Sequence, residues 1–235
     1  MKLAIMQPYL FPYIGYFQLI QAVDDFVLYD DVNFRKQSWL NRNRILLNGK
    51  EHLFTIPCKG ISSYKRINEV QLDNDKKPLV KFQKLIEQAY RKAPNYISTK
   101  ELIDKIVDKN PTNISELGKT SIMEVCKYLD IKTNILSSSE HFSDSAEIHK
   151  EHRIIDICKK MGATQYINAQ GGQELYTKND FLKHQIDLNF LIPNSNMMYN
   201  QINSEDFIPW LSIIDVLMHN EKDKIIEFTN SFQLK

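Results

Sequence analysis

Met1-Lys-Leu-Ala-Ile-Met-Gln-Pro-Tyr-Leu-Phe-Pro-Tyr-Ile-Gly-Tyr-Phe17, followed by Phe26-Val-Leu-Tyr-Asp-Asp31, decides the fold. Residues 3–6 are a short apolar run, the pattern of a central strand covered on both faces. Pro8 and Pro12 exclude ladder pairing in the segment that follows. From Gly15, the apolar positions Phe17, Leu19, Ile20 and Val23 suit a helix. Residues 26–29 then read as a second strand that ends in two acids. Strand, loop, helix, strand is the opening of a parallel α/β sheet.

Working outward, Ile45-Leu-Leu, Asn48-Gly49 and His52-Leu-Phe-Thr-Ile56 read as a β-hairpin, since Asn-Gly favours a type I′ turn. Residues 67–72 alternate and are expected to form another strand. Residues 78–91 place Leu79, Phe82, Leu85, Ile86 and Tyr90 near one helical face, and Pro94 breaks that helix. Two further helices are expected at 102–107 and 114–129, the second capped by Asn113 or Ser115. Residues 131–136 read as a strand and Ser137-Ser-Ser-Glu140 as the turn after it. A helix over 147–161 closes at Gly162, and a strand over 165–168 runs into Gly171-Gly172. A short strand at 188–191 and helices over 209–219 and 222–231 complete the pattern. The expectation is one α/β domain over 1–235, with a mostly parallel sheet, a helical insertion at about 78–130 and C-terminal helices.

Composition narrows the functional classes. Thirty Lys plus Arg against 29 Asp plus Glu give a net charge of +1, which argues against a general nucleic-acid binder. Cys58, Cys126 and Cys158 are far apart and form no C-x-x-C pair, so a structural zinc site or a thioredoxin-like motif is not expected. Sparse cysteines fit a reducing cytoplasm. The apolar run at the start is too short for a signal-peptide core. No run approaches the roughly 20 residues of a transmembrane helix. A cytoplasmic chain without membrane insertion is therefore expected. His149 and His152 lack a third ligand, and no metal site is expected. Cys58 reads as an inert small residue, and no G-x-S-x-G or similar nucleophile motif is present.

Residues 7–16 are chemically rich for a connection. After the first strand of a parallel sheet they would lie at its carboxyl end, where such folds bind ligands. Gly15 at a helix start could let a phosphate approach free N–H groups; an aromatic plug over the sheet end is the other reading. Asp30 and Asp31 suit a ribose hydroxyl, an amine or magnesium, and equally a turn. In Arg35-Lys36-x-x-Trp39-x-Asn41-Arg42-Asn43-Arg44, guanidinium forks suit phosphate, Trp39 suits a base or sugar ring, and the amides suit hydroxyls. A solvated basic face around one buried Trp is the bland alternative. Gly171 and Gly172 allow a close approach or simply a tight turn. Ser212 and Asp215 have capping-box spacing or begin a phosphate-binding helix.

The run Gln7-Pro-Tyr-Leu-Phe-Pro-Tyr-Ile-Gly-Tyr16, then Asp30-Asp31 and Lys36-x-x-Trp39-x-Asn41-Arg42-Asn43, resembles the WbqC-like family. The resemblance continues through Tyr166-x-Asn168, Gly171-Gly172 and Phe207-x-Pro209-x-x-Ser212-Ile-Ile-Asp215, covering nearly the whole chain in order. Members of that family occur among genes for O-antigen and other surface polysaccharides, which implies a pathway more than a reaction. Tyr13-Ile-Gly-Tyr16 also stands where nucleotidyltransferase-like proteins, pantothenate synthetase among them, carry H-x-G-H. That likeness implies a Rossmann-like, nucleotidyltransferase-type core. Both histidines are tyrosines here, able to donate a hydrogen bond but uncharged near neutral pH.

Together these resemblances imply an enzyme of surface-polysaccharide biosynthesis, transferring an acyl or aminoacyl group to the amine of a nucleotide-linked sugar. The donor is a thioester such as an acyl-CoA or an adenylate made with ATP. Asp30, Asp31 and Lys36 are the candidate catalytic residues. Gln7, Tyr9, Tyr13, Gly15, Tyr16, Trp39, Asn41, Arg42, Asn43, Asn168, Gly171, Gly172, Ser212 and Asp215 are the candidate substrate-binding residues. On this reading Asp31→Asn abolishes binding without lowering the melting temperature. The competing readings are a non-catalytic nucleotide-sugar binding or scaffold protein of the same pathway, and a nucleotidyltransferase.

Overall fold

β1 (Lys2–Met6) lies at the centre of a six-stranded sheet because it holds no group that needs water between its ends: Leu3, Ala4 and Ile5 are all buried. Side chains alternate across a strand. Leu3 and Ile5 join one apolar cluster with Ile154, Ile157 and Phe181, whereas Ala4 joins another with Phe17 and Phe228. The computed structural model describes residues 1–73, 76–194 and 197–235.

After β1 the chain forms α1 (Ile14–Gln21) and β2 (Asp25–Leu28), with β2 parallel to β1. An excursion follows. β3 (Arg42–Leu47) and β4 (Lys50–Thr55) make a separate hairpin. Its turn has Asn48 at φ 51° and Gly49 at φ 73°, the two left-handed residues that a type I′ turn requires. β5 (Cys58–Lys59) pairs with β6 (Gln71–Leu72), and α2 (Lys77–Tyr90), α3 (Tyr96–Asp108) and α4 (Ile114–Tyr128) follow. The chain returns through β7 (Asn134–Ser137), α5 (Ser138–His141), α6 (Lys150–Met161), β8 (Gln165–Ala169), α7 (Lys178–Leu182) and β9 (Asp187–Pro193). It ends in α8 (Ile213–His219), α9 (Lys222–Thr229) and β10 (Phe232–Leu234).

The sheet order is β10-β9-β8-β1-β2-β7, parallel except for β10 against β9. Numbered by their order in this sheet alone, the strands run 3-2-1-4-5-6, the Rossmann order. α1 and α9 cover one face, and α6 and α7 supply the cluster on the other. The order reverses between β1 and β8. The crevice beyond their carboxyl ends, where Gln7 and Asn168 stand, is the place such a sheet offers a ligand.

Several details differ from the sequence expectation. Residues 67–72 hold a 3₁₀ turn, Ile67–Glu69, before the two-residue β6; the Glu69 carboxylate accepts the Arg66 N–H at 2.8 Å and the Glu69 N–H donates to Arg66 O at 3.1 Å. Ser138–His141 form a helical turn rather than a loose one, since Ser138 and Ser139 bond to Asp30. α8 starts only at Ile213, where Ser212 caps the Ile214 N–H at 3.2 Å and Trp210 stands left-handed at φ 62°. β10 was too short to signal itself. Within the excursion the three helices occupy residues 77–128.

Candidate functional site

The segment between β1 and α1 contains no regular structure, so its carbonyls must find partners elsewhere. Asn43 Nδ2 donates to Leu10 O at 2.9 Å and Phe11 O at 2.8 Å. Ser212 Oγ donates to Phe11 O at 2.7 Å, and the Ile213 N–H to Pro12 O at 2.9 Å. The Tyr16 hydroxyl donates to Gln7 O at 2.8 Å. Two distant pieces of chain, at Asn43 and at Ser212–Ile213, thus hold one loop together with Tyr16 of the helix that follows it. Asn43 and Ser212 use their donors on that backbone. Asn41 does likewise beside the hairpin, donating to Ile56 O at 3.0 Å.

The held loop presents Tyr9, Pro12 and Tyr13 to one side of a cavity of about 160 Å³, closed by Trp39, Asn43, Arg44 and Trp210. Trp39 is 38% exposed and Trp210 55% exposed, so two large aromatic faces stand open to solvent at one place. The rings of Tyr13 and Trp210 meet edge to face at 5.8 Å. Period-two alternation on β3 puts Arg42 and Arg44 on the same face. Their guanidinium carbons lie 5.8 and 5.3 Å from the Trp39 ring centre. Arg44 also pairs with Glu51 at 2.9 Å and donates to Trp210 O at 3.2 Å; Arg42 donates to Gln37 O. Burial pushes the Tyr9 and Tyr13 hydroxyls above their ordinary range, so both remain protonated donors. Arg35 and Lys36 are exposed nearby in sequence.

The structure therefore brings together Tyr9, Tyr13, Trp39 and Asn43, with Arg42 behind Trp39. Asp30 and Asp31 do not line this cup. The Asp30 carboxylate accepts from the Ser115 hydroxyl at 3.1 Å and from the Ser139 hydroxyl and N–H at 2.8 and 3.0 Å, and the Asp30 N–H donates to Ser138 Oγ at 3.1 Å. Asp31 accepts from Ser138 at 2.5 Å and from Arg153 at 2.5 Å. All four carboxylate oxygens are occupied, and both aspartates and Arg153 are buried. Burial is the largest single influence and works against the Arg153 charge, but the bonds and charges of Asp31 and Tyr29 together outweigh it and the guanidinium is held above its usual range. Asn168 is buried at the end of β8, its amide packed under Gly172; Gly171 faces open space. Asp215 lies in the interior, receiving Tyr90, Tyr199 and Gln201 at 2.7–2.8 Å. Ser212 caps α8, but Asp215 does not complete the capping box.

Trp210 is a cup residue that the sequence reading did not single out, and Arg44 stood in the basic cluster without being counted among the substrate-binding residues. Arg44 carried a signal: hairpin register and period two make it the partner of Arg42. Trp210 sits inside the Phe207–Asp215 motif without any local pattern of its own. Burial raises the Cys58 thiol to about 11 and the Cys126 and Cys158 thiols to about 12, which keeps all three unreactive near neutral pH. Among the described residues no group of three or more His, Cys, Asp or Glu could hold a metal ion, and no helix is long and apolar enough to cross a membrane.

Gly15 is fixed by the cup rather than by its own backbone. A Cβ there would lie 2.3 Å from Tyr13 Cε2. Gly15→Ala is expected to fold, because the atom in the way belongs to a movable ring. The Tyr13 wall must then swing off Trp210. A changed tryptophan emission with a small shift in melting temperature checks this, and an unchanged spectrum counts against it.

The sequence pattern of the WbqC-like protein family matches residues 7–227. The Mycobacterium tuberculosis protein Rv1507c, described as uncharacterized, is 27% identical over 221 residues, covering 93% of this chain and 93% of its own length. No solved structure matches.

Proposed function

The chain belongs to the WbqC-like protein family, and from that premise we propose that it binds a nucleotide-linked amino sugar in the aromatic cup and transfers an acyl or aminoacyl group to the sugar's amine. Membership suggests a role tied to surface-polysaccharide gene clusters. The observation that carries the ligand is the cup itself, with two open tryptophan faces and two guanidinium groups sharing one of them. Apolar faces of a sugar or base stack on such rings, and guanidinium forks take phosphate oxygens. A cavity of about 160 Å³ suits one ring, leaving the diphosphate to run past Arg42 toward Arg35 and Lys36. Gln7, Asn168, Gly171 and Gly172, at the reversal of strand order, would meet the nucleoside.

The start of α1 does not fit a phosphate. The Tyr13 ring lies over Gly15 and the Tyr16 hydroxyl is spent on Gln7 O, so no ATP-dependent step is drawn through the tyrosine version of H-x-G-H. In the transfer, the amine nitrogen forms the new C–N bond and the acyl carbon releases its leaving group. The amine proton goes to solvent or to that group. Asp30 and Asp31, with every oxygen occupied, are read as organisers of the sheet edge.

A binding module without turnover is the second reading. It is favoured by one observation: the described residues lining the cup include no carboxylate, histidine or cysteine. Titration with a UDP-hexosamine, followed by a thiol-release assay on adding acyl-CoA, separates the two. Arg42→Gln and Trp39→Ala are each expected to weaken nucleotide-sugar binding about tenfold to a hundredfold, with little change in melting temperature. Undiminished binding in both variants removes the cup from consideration.

A further inference from the structure

Tyr13 and Trp210 are walls of two cavities. On their other side lies an apolar slot of about 60 Å³, lined chiefly by Met197, Phe207, Pro209 and Phe228. The cup carries the arginine and the amide of Asn43; the slot carries mostly rings, aliphatic side chains and a thioether, with Asn194 its one amide. Tyr199 also lines the slot, but its hydroxyl is committed to Asp215 at 2.7 Å, so it offers the slot its ring. The shared wall is an unusual residue. Trp210 is a tryptophan at φ 62°, more than half exposed, with its carbonyl held by Arg44. A bulky residue in the left-handed region is strained, and such strain persists only where neighbours fix it.

Resting on the proposed function, we infer that the slot is the acyl subsite of the same ligand: it takes the short hydrocarbon part of the group joined to the sugar amine, and Trp210 sets its length. Continuity argues for this occupant. The two cavities share Tyr13 and Trp210, so a ligand whose ring stacks in the cup lies directly against the slot across the Tyr13–Trp210 edge. The small volume selects two to four carbons over a long fatty chain. Met197 supplies a side chain that adapts to either length.

The test uses the full chain and four probes: a UDP-hexosamine and its N-acyl forms with two, four and eight carbons. Affinity is expected to rise about fourfold per methylene from two carbons to four, and then to fall at eight. Met197→Trp fills the slot and should erase the chain-length dependence while leaving the free amine's binding unchanged. Trp210→Gly removes the wall at a backbone angle that glycine accepts and should move the optimum to eight carbons. Free amides of the same chain lengths, followed by tryptophan quenching, probe the slot independently of the cup. If the amides show the four-carbon optimum and the UDP compounds do not bind, the nucleotide-sugar reading fails and the slot stands. If the UDP compounds bind equally whatever their acyl group, or if Met197→Trp leaves the optimum in place, the slot assignment is overturned.

Discussion

Asp215→Ala is expected to cost about 3–5 kcal/mol of folding stability, close to the whole margin of a weakly stable chain. The carboxylate is fully buried. Tyr90 donates to one oxygen at 2.8 Å, and Tyr199 at 2.7 Å and Gln201 at 2.8 Å to the other. Alanine strands three donors, the buried Tyr90 of α2 and the half-buried Tyr199 and buried Gln201 of the segment before α8. The Ile202 N–H donates to His219 Nε2 at 3.1 Å, so the proton of that ring lies on Nδ1, facing Asp215 O at 2.7 Å. Burial first, and the Asp215 charge second, hold the Tyr90 and Tyr199 hydroxyls well above their ordinary range, so both stay donors. The two tyrosines should not be equivalent. The Leu46 N–H of β3 donates to Tyr90 Oη at 2.8 Å. Tyr90→Phe therefore orphans a backbone donor as well as a carboxylate oxygen, and it should destabilise more than Tyr199→Phe. Urea unfolding of the three variants checks the order Asp215→Ala, Tyr90→Phe, Tyr199→Phe. Equal losses for the two tyrosine variants would contradict the network.

This network shows why the motif around Ser212 reads ambiguously from sequence. S-x-x-D spacing is shared by a capping box and by a helix start that faces inward, and only tertiary position separates them. Ser212 does cap, while Asp215 turns inward to Tyr90, 125 residues away in the chain, and to Tyr199 and Gln201. By contrast, β1, α1 and β2 were legible because their signals are local: an unbroken apolar run, two prolines, helical spacing. Asn48-Gly49 is local too, and the turn forms as its φ angles demand. The Ser137-Ser-Ser-Glu140 stretch looked like a turn because serine favours turns. What makes it helical is Asp30, brought alongside by the parallel pairing of β2 and β7. Trp210 was hidden for the same reason, since nothing in a sequence announces a left-handed tryptophan. The aromatic half of the cup was readable in the residues 7–16 and Trp39; its closure was not.

The ion pair between Asp31 and Arg153 changes what a substitution at the sheet edge should do. From sequence, Asp31→Asn removes a catalytic group and spares the fold. In the structure Asp31 and Arg153 meet at 2.5 Å with both side chains almost wholly hidden, and the Tyr29 ring lies 4.8 Å from the guanidinium. Asparagine keeps an acceptor for Ser138 but leaves Arg153 as a buried, uncompensated cation. Breaking one side of such a pair costs about 3–5 kcal/mol, or roughly 6–20 °C in melting temperature for a chain of this size. Arg153→Met should cost a similar amount by stranding the carboxylate. The double variant Asp31→Leu, Arg153→Met removes both charges, and its loss should be well below the sum of the singles. Measured as a cycle, that non-additivity identifies the pair. Binding decides the role. If the double variant regains stability and still takes a UDP-hexosamine, Asp31 holds β2 to α6 and does no chemistry. If Asp31→Asn keeps the wild-type melting temperature and loses binding, the carboxylate belongs to the site after all, and the ion pair is not what secures it.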